Sequence, residues 1–206
     1  MKDIGYINLP EIRCMPKTGE ERLSFFGSDA GCCLQDFWKW CGSNVLSNAV
    51  RGKFAEFIVG MAVGADMKSV RDEWGRYDVL SASGVRIEVK SASYIQTWGQ
   101  RKYSSVSFSI KPALGWNAEM GMYEGKPMRH ADVYVFCLLK NKDQDTLDPM
   151  KLEQWGFYVV PTCVLDGCCG SRASISLGAL RKLTDEVGYG ALNDAVEEAY
   201  SRQYNQ

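Results

Sequence analysis

Strict alternation of apolar and polar positions is the clearest pattern in the chain, and it occurs just after a turn-like Ser-Ala-Ser-Gly segment. The alternating run reads Val85, Arg86, Ile87, Glu88, Val89 and Lys90. A period of two predicts a strand with one apolar face and one charged face. The shorter run from Tyr77 to Leu80 would pair with it as a tight hairpin. Glu and Lys are depleted from strands, and on a half-buried face they cost desolvation unless they hold a metal ion or a phosphate.

A helical period precedes this hairpin. It predicts a helix that begins at Ser43 or Ser47 and ends near Val63, with Gly64 as its C-terminal stop. The predicted core stripe consists of Val50, Phe54, Phe57, Ile58 and Met61. Glu56 lies off that stripe, beside a turn of small residues that would approach the sheet closely.

Two apolar runs downstream, 131–139 and 155–161, are rich in Val, Tyr and Phe and predict buried strands. Residues 104–110 alternate and predict a further strand. Residues 111–129 contain several Gly and Pro and predict a long loop. Leucine and alanine spacing predicts C-terminal helices within 174–204.

These elements predict one α/β domain over residues 1–206, with a central mixed sheet flanked by helices. Its core would span 47–161. Residues 1–36 form an irregular N-terminal extension.

Composition narrows the functional classes. The 24 Lys and Arg balance 25 Asp and Glu, so a generally basic nucleic-acid binder is excluded, and any such contact needs a local patch. Cations and aromatic residues mix just beyond the alternating strand and form a candidate nucleic-acid surface, joined by one helix arginine: Tyr94, Trp98, Arg101, Lys102 and Arg51. The alternative is that the aromatic residues belong to the core or to a dimer interface. Neither a signal peptide nor a run long enough to span a membrane is visible, which predicts a cytoplasmic protein without a membrane partner.

The eight cysteines include no Cys-x-x-Cys pair, so reduced thiols are expected, although a zinc site built from distant cysteines stays open. His130 is the single histidine, which excludes nucleases and phosphotransferases that need several. A hydrolase with Cys137 or Cys163 as nucleophile remains formally open without a supporting motif. No phosphate-binding Gly-x-x-x-x-Gly-Lys loop occurs, so no nucleotide cofactor is expected.

The order of a helix with Glu56, a strand ending at Asp78 and a strand with Glu88-Val89-Lys90 resembles the PD-(D/E)XK nucleases. That superfamily has the restriction-endonuclease-like fold, with an αβββαβ-type core. The resemblance covers residues 47–96, and Tyr77 stands where the motif has proline.

The resemblance implies a shared site for phosphodiester hydrolysis. Asp78 and Glu88 would bind Mg²⁺ or Mn²⁺ together with the backbone carbonyl of Val89, and Glu56 is a further candidate ligand. Lys90 would hold or deprotonate the attacking water and stabilise charge on phosphorus. Gln96 would contact the lysine, the water or the substrate.

The predicted function is therefore a metal-dependent DNA endonuclease of restriction, repair or defence type. Cutting both strands requires two sites, which a homodimer would supply. Two alternatives stay open: an inactive nucleic-acid-binding module with the same fold, and an RNA-processing or junction-resolving nuclease. The simpler interpretation is that Glu88 and Lys90 form a surface ion pair, that Asp78 caps a turn and that Glu56 pairs with Lys53 or Arg51. Only the joint pattern favours catalysis.

Overall fold

The chain combines strands and helices in a computed structural model that describes residues 12–117 and 122–204. The strands are β1 (Arg22–Phe25), β2 (Ser28–Cys33), β3 (Val79–Leu80), β4 (Arg86–Ser93), β5 (Ser107–Ser109), β6 (Ala113–Asn117), β7 (Met122–Met128), β8 (Val133–Leu139), β9 (Trp155–Pro161) and β10 (Ser174–Ser176). The α-helices are α1 (Leu34–Gly42), α2 (Asn48–Ala62), α3 (Thr162–Cys169), α4 (Leu177–Leu180) and α5 (Leu192–Tyr204). Short 3₁₀ turns lie at Leu152–Gln154 and Tyr189–Ala191.

The centre of the protein is a four-stranded mixed sheet in the order β3, β4, β8, β9. Strand β4 runs antiparallel to β3 and parallel to β8, and β8 runs antiparallel to β9. The predicted hairpin and the predicted strands in 131–139 and 155–161 are thus confirmed, as is the α/β class with a central mixed sheet flanked by helices.

Each face of the sheet is covered by its own apolar cluster. Helices α2 and α5 pack on the face that carries Ile87 and Val89 of β4. Helices α3 and α4, with the two-stranded β5–β10 sheet, cover the face that carries Phe136 and Tyr158. Because both faces are covered, the inner strand β8 and the edge strand β9 are buried along their whole length.

Helix α2 begins after Ser47 and ends at Ala62, with Val63 as its C-cap, and Gly64 follows with a left-handed φ of 63°. The predicted core stripe was wrong in part, because Phe57 and Met61 are 45% and 41% exposed. The buried face is instead formed by Arg51, Ala55, Ile58, Val59 and Gly60.

Three segments differ from the sequence prediction. The extension expected to be irregular contains the β1–β2 hairpin, and α1 spans its predicted end. The region 111–129, expected to be a loop, contains the antiparallel hairpin β6–β7, although residues 118–121 lie outside the described structure. Near the C-terminus, α4 is only four residues long, whereas α5 agrees with the prediction. The predicted extension at residues 1–11 also lies outside the described residues.

All eight cysteines are free thiols. Within residues 12–117 and 122–204, none of the helices combines the length and apolar character needed to cross a membrane.

A buried carboxylate joins the starts of β4 and β8 to the end of α5. Asp132 Oδ2 accepts hydrogen bonds from the backbone amide and the Nε of Arg86, each at 3.0 Å, and Asp132 Oδ1 accepts one from the Tyr204 hydroxyl at 2.6 Å. Burial alone would raise the pKa of the Asp132 carboxyl, but the bonds from Arg86 and Tyr204 outweigh burial and lower that pKa. This carboxylate therefore stabilises the fold in its charged form.

Substitution Asp132→Asn should lower the free energy of unfolding at pH 7 by about 2 kcal/mol, because charge-assisted hydrogen bonds to a buried acceptor are lost. Since the folded pKa is lowered, the wild-type contribution is complete above the unfolded value of about 3.9 and disappears as the pH falls through the folded value. Denaturant titrations at several pH values should show the difference from wild type shrinking below about pH 4. Asp185→Asn at an exposed position is the control. A difference that is constant with pH would contradict this role.

Candidate active site

Five charged side chains alternate in sign at the β3 edge of the central sheet. In order of contact they are Glu56, Arg71, Asp78, Lys90 and Glu88. Glu56 belongs to α2, Asp78 precedes β3, and Glu88 and Lys90 belong to β4. The structure thus brings together the four acidic and basic residues on which the predicted catalytic site depends, and it adds Arg71.

Asp78 is fixed by the backbone of the hairpin. Its amide donates to the carbonyl of Ile87 at 3.0 Å, and its Oδ2 accepts a hydrogen bond from the amide of Val89 at 2.8 Å. In an extended strand the amide and the carbonyl of one residue point toward the same edge. The Val89 carbonyl therefore faces the edge on which Asp78 lies, although its predicted role as a metal ligand stays a prediction.

Lys90 Nζ lies between two carboxylates, 2.5 Å from Glu88 Oε1 and 3.8 Å from Asp78 Oδ2. All three side chains are mostly buried, with exposed fractions of 19–28%. Burial alone would lower the pKa of Lys90, but the charges of Glu88 and Asp78 outweigh burial and raise it. Lys90 is therefore held as an ammonium ion.

Glu88 is in the opposite situation, because its charged form is disfavoured. Burial first, and then the negative charge of Asp78, raise the pKa of Glu88 against the lowering influence of Lys90. Two carboxylates that face one ammonium group leave an excess of negative charge in a partly desolvated place. A further cation bound here would therefore be stabilised by the excess negative charge.

Arg71 is the site residue that sequence reasoning missed. Its Nε donates to Glu56 Oε2 through a close contact, and its Nη2 lies 3.8 Å from Asp78 Oδ1. Its neighbour Glu73 is 3.9 Å from Nη1. The residue belongs to an irregular segment between α2 and β3, where no periodicity could have indicated its direction. The hydrogen bond with Glu56 raises the pKa of Arg71.

The carboxylates are not preassembled around a metal position. In residues 12–117 and 122–204, no group of three or more His, Cys, Asp or Glu side chains has the spacing of a metal site. Arg71 and Lys90 instead form ion pairs with the carboxylates. Hard carboxylate oxygens are nevertheless the donors that Mg²⁺ prefers, so Asp78 and Glu88 fit such an ion chemically once the cationic side chains move aside.

Arg51 and Gln96 belong to a neighbouring polar network. Arg51 is 3% exposed, and its guanidinium donates to the Leu46 carbonyl at 2.9 Å and to Gln96 Oε1 at 3.3 Å. Gln96 Nε2 donates to the Ser93 carbonyl at 2.9 Å and to Ser104 Oγ at 3.2 Å. These contacts connect both side chains to the turn after β4, and the predicted role of Gln96 in the active site stays a prediction.

The remaining residues of the predicted nucleic-acid surface lie in this same turn region. Trp98 is 56% exposed, and Arg101 and Lys102 are exposed. Tyr94 is half-buried, with Lys142 Nζ 4.4 Å from the centre of its ring. The surface is thus accessible in part, and its role in binding stays a prediction.

Two cavities meet at Asp78. One, of about 330 Å³, is also lined by Glu88, Tyr134 and His130, and the other, of about 890 Å³, by Glu56 and Arg71. Asp78 therefore borders both cavities.

Sequence comparison defines the class of the protein. A model of the bacteriophage T4 endonuclease IV family matches residues 41–166, more than half of the chain. The matched segment contains all five residues of the charge chain. Because the matching family consists of endonucleases, the protein is a nuclease. The chain belongs to the bacteriophage T4 endonuclease IV family. No curated protein matches the sequence.

Substitution Arg71→Ala should lower the free energy of unfolding in EDTA by about 1 kcal/mol, because Glu56 and Asp78 lose a shared counter-charge. Millimolar Mn²⁺ should then raise the melting temperature of the variant more than that of wild type, since the metal ion replaces the missing cation. Thermal unfolding with and without Mn²⁺ measures both effects.

The matched control is Arg22→Ala, which removes an exposed ion pair with Asp29 far from the charge chain. Equal metal-induced shifts in wild type and both variants would show that these carboxylates do not compete for a cation.

Proposed function

We propose that the protein is a metal-dependent DNA endonuclease with the restriction-endonuclease-like fold of the PD-(D/E)XK superfamily. The observation that carries this proposal is the position of Lys90 between the carboxylates of Asp78 and Glu88. Membership in the bacteriophage T4 endonuclease IV family supports an endonuclease. DNA is the substrate that this name favours.

Asp78 and Glu88 would hold Mg²⁺ or Mn²⁺, with the Val89 carbonyl as a neutral ligand and Glu56 near a second position. Such an ion neutralises the non-bridging phosphate oxygens and lowers the pKa of an attacking water. The donor set consists of hard oxygens, which supports Mg²⁺ over softer metals.

Lys90 acts in this scheme as a cation. Its raised pKa keeps Nζ protonated at neutral pH, so it donates hydrogen bonds to the attacking water or to the phosphoryl oxygens as negative charge develops. This favours the electrostatic role over direct proton abstraction by Lys90. Arg71 would move from Glu56 and Asp78 toward the phosphate when the carboxylates take up metal.

One such site cuts one strand, so cleavage of duplex DNA at both strands would use a homodimer. Eight free cysteines fit a reducing compartment, which supports a cytoplasmic location. Restriction, repair and defence all remain compatible roles for this chemistry.

Substitution Lys90→Ala should reduce the cleavage rate by about 10²- to 10⁴-fold, the range for a positioned group that stabilises charge in the transition state. The assay is incubation of supercoiled plasmid and single-stranded circular DNA with Mg²⁺, with Mn²⁺ and with EDTA. Wild type should nick or cut in either metal and be inactive in EDTA.

Lys140→Ala is the matched control, because it removes a lysine that pairs with Glu186 at 2.7 Å outside the site. If wild type binds nucleic acid but cleaves none of DNA, RNA or branched substrates, the protein is the binding module instead. Cleavage confined to RNA or to junctions would replace DNA as the substrate.

A further inference from the structure

A cleft lined by aromatic residues opens directly beside the two carboxylates that would hold the metal. Asp78 and Glu88 line the cavity of about 330 Å³, and Trp74, Trp116 and Tyr123 are among its other lining residues. Its volume lies at the lower end of the range of about 300–1,000 Å³ for small-molecule sites. The cleft is thus large enough for one planar heterocycle.

The aromatic side chains form a contiguous surface that the core does not use. The ring centres of Trp74 and Trp116 are 5.8 Å apart at 41°, and those of Trp116 and Tyr123 are 5.1 Å apart at 68°. Trp74 is 62% and Tyr123 52% exposed. Contiguous exposed aromatic area next to a reactive site indicates a ligand, since isolated exposed apolar residues need no explanation but a patch does.

This surface is fixed relative to the carboxylates by polar contacts of the β6–β7 hairpin. Arg76 Nε donates to the Trp116 carbonyl at 3.4 Å, and His130 Nε2 bonds to the Ala113 carbonyl at 3.0 Å. A methyl group added at Gly115 would lie 3.1 Å from Arg76 Nε and 3.3 Å from the His130 ring. Only one residue separates Trp74 from Arg76 and one separates Arg76 from Asp78, so the segment that contacts the hairpin also carries the proposed metal ligand.

The cleft also contains cations that could bind the phosphates of a nucleotide. Arg76 and Lys111 line it beside three carboxylates, those of Glu73, Asp78 and Glu88, and they provide cations for phosphates that flank the scissile one. An aromatic wall with cations at its border is the arrangement by which proteins stack bases while they track the backbone.

We propose that this cleft receives the unpaired nucleobase of a nucleotide next to the scissile phosphate, stacked against Trp116 and Trp74. The inference rests on the proposed function, because the scissile phosphate is placed at Asp78 and Glu88. A base-paired nucleotide cannot enter, so the base comes either from a single strand or from a duplex by extrusion of one nucleotide.

The test is binding in EDTA, where the proposed cleavage does not occur. Fluorescence anisotropy should be measured with a short oligothymidylate and with an oligomer of the same length made of abasic nucleotides, which keeps the phosphates and removes the bases. Trp116→Ala should weaken binding of oligothymidylate roughly 5- to 100-fold, the range for loss of one stacking partner, and leave the abasic oligomer unaffected. Trp116→Phe should recover part of the loss.

Trp74→Ala should give the same base-dependent loss of binding. This second variant is included because Trp116→Ala could unfold the β6–β7 hairpin, whereas Trp74 is largely exposed and lies in a different segment. Trp40→Ala, at an 84% exposed tryptophan on α1, is the matched control and should bind both oligomers like wild type. Equal losses for thymidylate and abasic oligomers, or no loss with either cleft variant, would overturn the proposal.

A third arm uses the same sequence as a duplex. If the cleft variants weaken binding of the single strand alone, the bound base comes from an unpaired strand. If they weaken binding of the duplex as well, the base is extruded from the duplex. Both outcomes support binding of a base in the cleft. Absence of cleavage by wild type in Mg²⁺ or Mn²⁺, with base-dependent binding intact, would overturn the proposed function and leave the cleft standing.

Discussion

The rest of the structure depends on strand β4, whose two faces are both largely buried although one of them is charged. Ile87 and Val89 are packed against α2 and α5, which fixes the register with β8. The same alternation directs Glu88 and Lys90 to the other face, where they are mostly buried. A slip of one residue would exchange the faces and bury charge in the core, so the fold and the geometry of the charged residues are determined together.

The charge chain is therefore a consequence of strand geometry combined with one long-range contact. Lys90 neutralises part of the Asp78 and Glu88 pair, and Arg71 joins Asp78 to Glu56 on the neighbouring helix. Each carboxylate has a protein cation within reach, which stabilises the fold without metal. The same cations are the groups that phosphate oxygens would attract, so metal and substrate binding would rearrange an existing network of ion pairs.

Local periodicity explains which parts of the fold and the site could be predicted. The β3–β4 hairpin and the strands around Val133–Leu139 and Trp155–Pro161 follow from alternation and apolar runs, and three of the four site residues lie on or beside that hairpin. Arg71 could not be predicted, because it belongs to an irregular segment whose position beside Glu56 and Asp78 depends on tertiary packing. The β6–β7 hairpin was missed because glycines and a proline interrupt its alternating pattern. Its two strands form backbone hydrogen bonds with each other. The exposed Phe57 shows that the sequence did not determine which face of α2 meets the sheet.

The central claim is that Asp78 and Glu88 share one metal ion beside Lys90, and the most direct measurement is an anomalous difference map from crystals soaked in Mn²⁺. A Mn²⁺ peak is expected within bonding distance of one carboxylate oxygen of each residue, with Lys90 displaced from Glu88, and no such peak is expected in crystals of Asp78→Asn. The same soak of Lys140→Ala crystals should give the wild-type peak. A Mn²⁺ ion bound elsewhere in wild-type crystals, with the Lys90 and Glu88 ion pair unchanged, would contradict it.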